Sequence, residues 1–136
     1  NQFSLGMLKL GAEREPEPVG FKIDTIFGRA ADLLNAAEPA STEAYKYFLE
    51  AYVSVKPECW KGLRLDFGKF VTSAGAESAE VNVNWNYSHG LLYATSPSYH
   101  FGAKLSAPVG KGITLGYQLV NGWDNVDTTT PARRMV

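Results

Sequence analysis

Hydrophobic and polar residues alternate with a period of two in six stretches of the chain, each bounded by turn-forming residues. The clearest stretch sets Tyr45, Tyr47, Leu49, Ala51, Val53 and Val55 against Lys46, Phe48, Glu50, Tyr52 and Ser54. A helix would scatter those charges around its girth, whereas a strand collects them on one face. Val19–Gly28 repeats the pattern, with Val19, Phe21, Ile23, Thr25 and Phe27 opposite Gly20, Lys22, Asp24 and Ile26. Leu63–Phe70 sets Leu63, Leu65 and Phe67 against Arg64, Asp66 and Gly68; Lys69 and Phe70 then break the phase, as a bulge or strand end near Gly68 would. A fifth strand is predicted over Leu91–Ser106, with Tyr99, Phe101, Ala103 and Leu105 alternating in its second half and Pro97 kinking or ending the ladder. Ile113–Val120 is the sixth. The first, Gln2–Ala12, alternates imperfectly: Phe3, Leu5 and Met7 share one face while Leu8 and Leu10 take the other. Ala30–Ala37, before Pro39, suits a short helix, and nothing else reads as helical.

The connections alternate in length. Glu13–Pro18, Lys56–Gly62 and Ala107–Gly112 are short; Arg29–Glu43, Thr72–Gly90 and the stretch from Asn121 onward are long. Antiparallel strands with short turns at one rim and long loops at the other describe a transmembrane β-barrel, and a soluble sandwich has no reason to segregate its loops so strictly. Lys61–Gly68 and Lys111–Gln118 are similar at an offset of fifty residues, as a repeated hairpin unit of an up-and-down barrel would be. The predicted fold class is therefore all-β, an antiparallel up-and-down meander of about six strands forming a segment of a transmembrane β-barrel, with a short helix in one long loop.

Composition changes this picture little. Of the 136 residues, 45% are hydrophobic, a share that a globular domain also shows, yet no run approaches the ~18 apolar residues of a membrane-spanning helix. Strands of ~10 residues that alternate lipid-facing and water-facing positions average to such a composition. A net charge of −1 without a Lys/Arg cluster gives no reason to expect a nucleic-acid partner. Cys59 is the single cysteine, so no disulfide framework forms within one chain, and its bland reading is an incidental thiol near a turn. The chain opens on Asn1-Gln2-Phe3-Ser4-Leu5 with no export-signal pattern and ends on Arg133-Arg134-Met135-Val136 without an aromatic-terminated strand. The expectation is a single partial barrel domain over residues 1–136, incomplete at both ends, its export signal missing or removed.

Four stretches resemble the bacterial β-barrel porin family described as OmpL-like: Val19–Gly28, Leu65–Glu77, Trp85–Ser88 and Leu119–Val126. They occur in order over most of the chain. Cys59-Trp60 and Thr128-Thr129-Thr130-Pro131 depart from the pattern, the former in a turn where small polar residues are expected. The resemblance implies an outer-membrane channel with two or three times this strand count, of which the chain covers a middle part. It also implies a bacterial outer-membrane location.

If the apolar faces meet outer-membrane lipid, then Lys22, Asp24, Lys46, Glu50, Arg64, Asp66, His100 and Lys104 line a water-filled lumen suited to small hydrophilic solutes or ions. The bland reading is that these charges solvate one face and pair across strands. Phe21, Phe27, Tyr45, Tyr47, Phe67, Tyr99, Phe101, Tyr117 and Trp123 are candidates for lipid-facing positions and interfacial girdles. The Thr72–Gly90 loop is the candidate for an inward-folded constriction. A homo-oligomer is compatible with this fold, and no cofactor is implied. Two rivals stand beside the channel. One is a soluble β-barrel or sandwich that binds a ligand with Tyr45, Leu49, Phe67 and Tyr117 pointing inward. The other is a barrel enzyme using a Glu50 and Asp66 carboxylate pair facing each other across adjacent strands. No nucleophile elbow or phosphate loop supports catalysis, and His89 and His100 are too few and too far apart in sequence for a metal site.

Overall fold

A computed structural model of the chain describes residues 3–36 and 40–126. Six strands form one antiparallel sheet in chain order, each bonded to the next: β1 (Leu8–Arg14), β2 (Val19–Phe27), β3 (Phe48–Val55), β4 (Arg64–Val71), β5 (Tyr99–Gly110) and β6 (Ile113–Val120). The sheet is an open meander: β1 and β6 are its edges and do not pair with each other. Residues 15–18, 56–63 and 111–112 connect strands at one rim, and residues 28–47 and 72–98 connect them at the other. The expected segregation of short and long connections is therefore present.

Helical pieces lie in the connections. The helix expected after β2 is α1 (Arg29–Leu34). Three expectations need correction. Strand β1 covers Leu8–Arg14 and not Gln2–Ala12, so Phe3–Met7 stand outside the ladder. Residues Ala40–Tyr47 form a 3-10 segment, so β3 starts at Phe48 rather than Tyr45. Leu91–Ala94 is a helical turn, α2, and β5 begins only at Tyr99. Pro97 supplies no ladder donor, and the residues before it never carried the alternation that marks the second half of the strand. Short 3-10 turns also occur at Glu58–Trp60 and Val81–Val83. The readings at Gln2, at Ala37 and Pro39, and over residues 127–136 lie outside the described residues.

Directly opposed residues of an antiparallel ladder point to the same face, so the register sorts every side chain. One face carries the row Val19, Val55, Leu65, Leu105, Tyr117 and the row Phe21, Val53, Phe67, Ala103, Leu119, each crossing five strands. The other face carries Gly20, Ser54, Asp66, Lys104, Gln118 and, closer to the long loops, Gly11, Asp24, Glu50. The same register resolves β1: Leu8, Leu10 and Ala12 join the apolar face opposite Phe27, Thr25 and Ile23, and Lys9 joins the polar one opposite Ile26.

Burial runs opposite to that of a sheet in water. On the apolar face Phe67 is 60% exposed and Tyr117 64%, whereas on the polar face Asp24 and Asp66 are each 5% exposed and Ser54 1%. The only cluster of buried hydrophobic side chains among the described residues is Ile26, Ala31 and Leu49, where α1 packs near the long-loop rim. Leu49 reaches it through a bulge: Asp24 opposes Glu50 and Thr25 opposes Phe48, so β3 holds one extra residue there. The extra residue turns Leu49 inward beside Glu50 and puts Phe48 on the apolar face, the reverse of the strict alternation.

The phase break at Lys69 has a different origin: contrary to the expected bulge or strand end, the register runs unbroken through Gly68 and β4 continues to Val71. Gly68, at φ 136°, lies against the backbone of Ala51 and Tyr52, and no side chain fits there. Beyond it, Lys69 is 2% exposed; its Nζ donates to Asn35 Oδ1 at 2.6 Å and to the Tyr45 carbonyl at 3.1 Å, and lies 3.8 Å from the centre of the Tyr99 ring. Asn35 Nδ2 in turn donates to the Ala31 and Lys46 carbonyls, tying both ends of the 28–47 connection to β4. Gly68→Ala is expected to destabilise the folded protein by about 1–3 kcal/mol. Gly116→Ala, where a methyl group meets only ordinary contact distances, is expected to cost far less. Denaturant midpoints of the two variants measured side by side test this.

Candidate functional site

The polar face gathers its charges into two networks. In the first, Lys22 Nζ lies 2.5 Å from Glu50 Oε2 and 3.7 Å from Asp24 Oδ2, and Lys9 Nζ lies 3.5 Å from that same Asp24 oxygen. Glu50 Oε1 also accepts from the Val71 amide at 3.4 Å, where β3 and β4 separate above the Ala51–Lys69 pair. In the second, Asp66 Oδ1 accepts from Arg64 Nε at 2.6 Å and from Ser54 Oγ at 2.6 Å, while Arg64 Nη2 donates to Ser54 Oγ at 2.9 Å. Carboxylates so shielded from water need this much compensation, since an unpaired buried charge is far costlier than an unpaired exposed one.

The connection between β4 and β5, residues 72–98, crosses this face. Near its start Gln118 Nε2, on β6, donates to Ser73 Oγ at 3.0 Å. At its middle Glu80 Oε1 accepts from Lys9 Nζ, on β1, at 2.6 Å. The loop thus touches the first and last strands of the sheet. It is internally braced: Asn84 exchanges two 2.7 Å bonds with the backbone of Ser78, and the Glu77 carboxylate accepts from the Gly90 amide at 2.9 Å. His89 stacks on Tyr93 with ring centres 4.0 Å apart. Burial pushes the Tyr93 phenol above its ordinary pKa, and the nearby Asp124 and Glu77 carboxylates add to the shift, so the ring stays neutral in that stack. A cleft of about 690 Å³ runs between the loop and the β1–α1 side, lined by Met7, Lys9, Leu33, Glu80, Asn82 and Tyr87 among others.

The sequence-derived residues fall into three groups. Lys22, Asp24, Glu50, Arg64, Asp66 and Lys104 share the covered face, joined by the register. His100 stands at the long-loop rim as a brace. The Gly122 carbonyl can only accept, so His100 Nδ1 donates to it at 3.1 Å, and Nε2 faces the Thr72 hydroxyl at 3.3 Å. Lys46 is not on a strand at all; it lies in the 3-10 segment, 3.8 Å from Asp32 Oδ1. Among the aromatics, Phe21, Phe27, Tyr45, Tyr47, Phe67, Tyr117 and Trp123 are exposed and Phe101 is half-buried, packed edge-on against Phe67. Tyr99 shares the register of the apolar face, opposite Val71, but is 2% exposed, covered by the Lys69 ammonium.

Glu50 and Asp66 do not form a pair. Asp66 opposes Ser54, four positions along β3 from Glu50, which is roughly 13 Å of strand, and each carboxylate is held by its own cation. That exceeds the ~5–9.5 Å over which two carboxylates share a glycosidase-like reaction. Cys59 is a free, exposed thiol in the turn after β3. Sequence reasoning missed Lys9, Glu80 and Ser54. The parity of Lys9 needed the β1–β2 register, and Glu80 sits in a loop without periodicity.

A family model described as "Putative beta-barrel porin-2, OmpL-like" matches residues 1–134. Neither a curated protein nor a solved structure matches the chain significantly. Arg64→Leu strips Asp66 of its cation and is expected to lower stability by about 1–3 kcal/mol. The double variant Arg64→Leu/Asp66→Leu is expected to cost less than the two single changes added together, read from a double-mutant cycle in denaturant.

Proposed function

Because the chain belongs to the OmpL-like β-barrel porin family, we propose that its sheet is part of the wall of an outer-membrane channel through which small hydrophilic solutes or ions diffuse passively. One observation carries this reading: the apolar rows are bare and the charged rows are covered. Apolar rows of this length facing water would be an aggregation hazard, whereas facing acyl chains they are the required surface. The charged rows then line an aqueous lumen. Phe27, Tyr45, Tyr47 and Trp123, all toward the long-loop rim, suit an interfacial girdle.

Closure follows from the medium. Within hydrocarbon an unpaired backbone donor or acceptor costs several kcal/mol, so the open edges β1 and β6 require further strands before the sheet can span a bilayer. The 72–98 loop supplies the constriction, held toward the charged face by Glu80–Lys9 at one side and Gln118–Ser73 at the other. The soluble ligand-binding barrel would turn Phe67 and Tyr117 inward, but these are among the bare side chains while the 72–98 loop covers the charged face, which favours the channel over that rival.

Three outcomes are expected of the full-length protein. Reconstituted in a planar bilayer, it gives stable ohmic steps; a pure protein that inserts and passes no current refutes the channel. Glu80→Gln and Lys9→Met each raise single-channel conductance, and the double variant raises it no further than the larger single effect, because both break one contact. Phe67→Arg, mid-strand on the bare face, lowers folding stability in lipid vesicles by about 2–4 kcal/mol, and an unchanged stability would place that face elsewhere than in lipid.

A further inference from the structure

On the covered face of the strands four cations stand in the rows, and three of them are engaged: Lys9 and Lys22 with Asp24, Glu50 and Glu80, and Arg64 with Asp66. Lys104 is the fourth. Among the described residues it makes no ion pair. Its directly opposed residue on β4 is Asp66, the natural partner, but Asp66 Oδ1 is already taken by Arg64 and Ser54. On its other side the opposed residue is Gln118, neutral and directed to Ser73. Its neighbours of the same parity along β5 are Gly102 and Ser106, and the contact recorded for its Nζ is the Phe70 ring, 5.8 Å to the centre. Lys104 is half-buried, and among the described residues its ammonium makes no hydrogen bond.

Its position suits a passing solute. Lys104 is five residues from the start of β5 at Tyr99 and six from its end at Gly110, near mid-height of the wall. Across the sheet the Lys9 and Lys22 network holds three carboxylates, Asp24, Glu50 and Glu80, against two ammonium groups. An excess negative charge on the β1–β3 side thus faces an unneutralised positive charge on β5, and an anion crossing this face is driven toward Lys104.

Building on the channel reading above, we infer that Lys104 is the anion-contact residue of the pathway, its ammonium meeting carboxylate or phosphate oxygens of solutes in transit. Phe70 and the side-chain-free Gly68 and Gly102 leave that contact unobstructed on the strand side. The residue raises the permeability of small anions relative to cations; the neutralised networks beside it do not.

The test is the reversal potential of the full-length protein under a potassium chloride gradient. Lys104→Gln is expected to lower the chloride-to-potassium permeability ratio roughly two- to five-fold, the effect of one unit charge felt through water at contact distance. Lys104→Arg is expected to retain the wild-type ratio, and Lys111→Gln, the same charge change in the β5–β6 turn, to leave it unmoved. To separate selectivity from folding, Lys104→Cys in a Cys59→Ser background is modified after insertion. Cationic 2-aminoethyl methanethiosulfonate should restore the anion preference, and anionic 2-sulfonatoethyl methanethiosulfonate should lower it below that of the unmodified cysteine. An open channel whose ratio ignores the charge at position 104 overturns the assignment of Lys104 alone. A protein that never conducts overturns the channel reading, and this inference falls with it.

Discussion

The structure depends on one constraint, the shared face of opposed residues in an antiparallel ladder. Each strand on its own alternates, but only the register decides which alternating set of one strand joins which set of the next. Because Phe21, Val53, Phe67, Ala103 and Leu119 oppose one another in succession, a single apolar row crosses five strands. A slip of one residue between any two strands would place Asp66 or Lys22 among those side chains. The cost of exposing a carboxylate to an apolar medium makes that slip prohibitive, so the pattern that predicts the strands also fixes how they pair.

Two features at the long-loop rim are where the molecule leaves the plain wall; a further register shift, between Pro108 and Gly110, lies beside the short β5–β6 turn. The bulge at Leu49 removes a side chain from the apolar face to build the small cluster with Ile26 and Ala31 that seats α1. Past Gly68, Lys69 keeps its register opposite Ala51 and Phe101 but is buried, holding Asn35 and the Tyr45 carbonyl. Nothing comparable happens to Lys22, Asp24 or Arg64, which keep strict alternation. Irregular backbone is thus used to anchor the loops, and regular backbone to present charge.

This division explains what could be read from the sequence. Six strands, their order of short and long connections and the helix after β2 were all legible, because each rests on a local period or a local breaker; the bulge or strand end expected near Gly68 does not form. The face of β1 was not, since Leu8 and Leu10 conflict with Phe3 and Leu5 until pairing with β2 settles it. Tyr45 and Tyr47 alternate perfectly yet lie in a 3-10 turn, because period two over three residues cannot be told from a tight helical turn. Seven of the eight charged or titratable residues read as one face share it by register, His100 included. Lys46 alone lies off the strands, in the 3-10 segment, and His100 sits on β5 at the rim, where it also bonds the Gly122 carbonyl. The Glu80–Lys9 contact spans 71 residues and left no trace in any window.

The scarcity of buried hydrophobic side chains carries the synthesis further. Ile26, Ala31 and Leu49, with Phe70 and Tyr99 buried beside the long loops, are a small core for six strands, and among the described residues the side chains of the apolar rows stay largely exposed. The conformational entropy lost in ordering these strands must be offset mainly by what lies outside the sheet. On the channel reading, lipid against the bare rows and strands paired to both edges provide that, and neither is available in water. The charged face is then free of any duty to form a core. It can hold water, ion pairs and a crossing loop because its residues were never needed for hydrophobic packing, and a wall whose stability resides on its outer side can vary the chemistry of its inner side with little structural consequence.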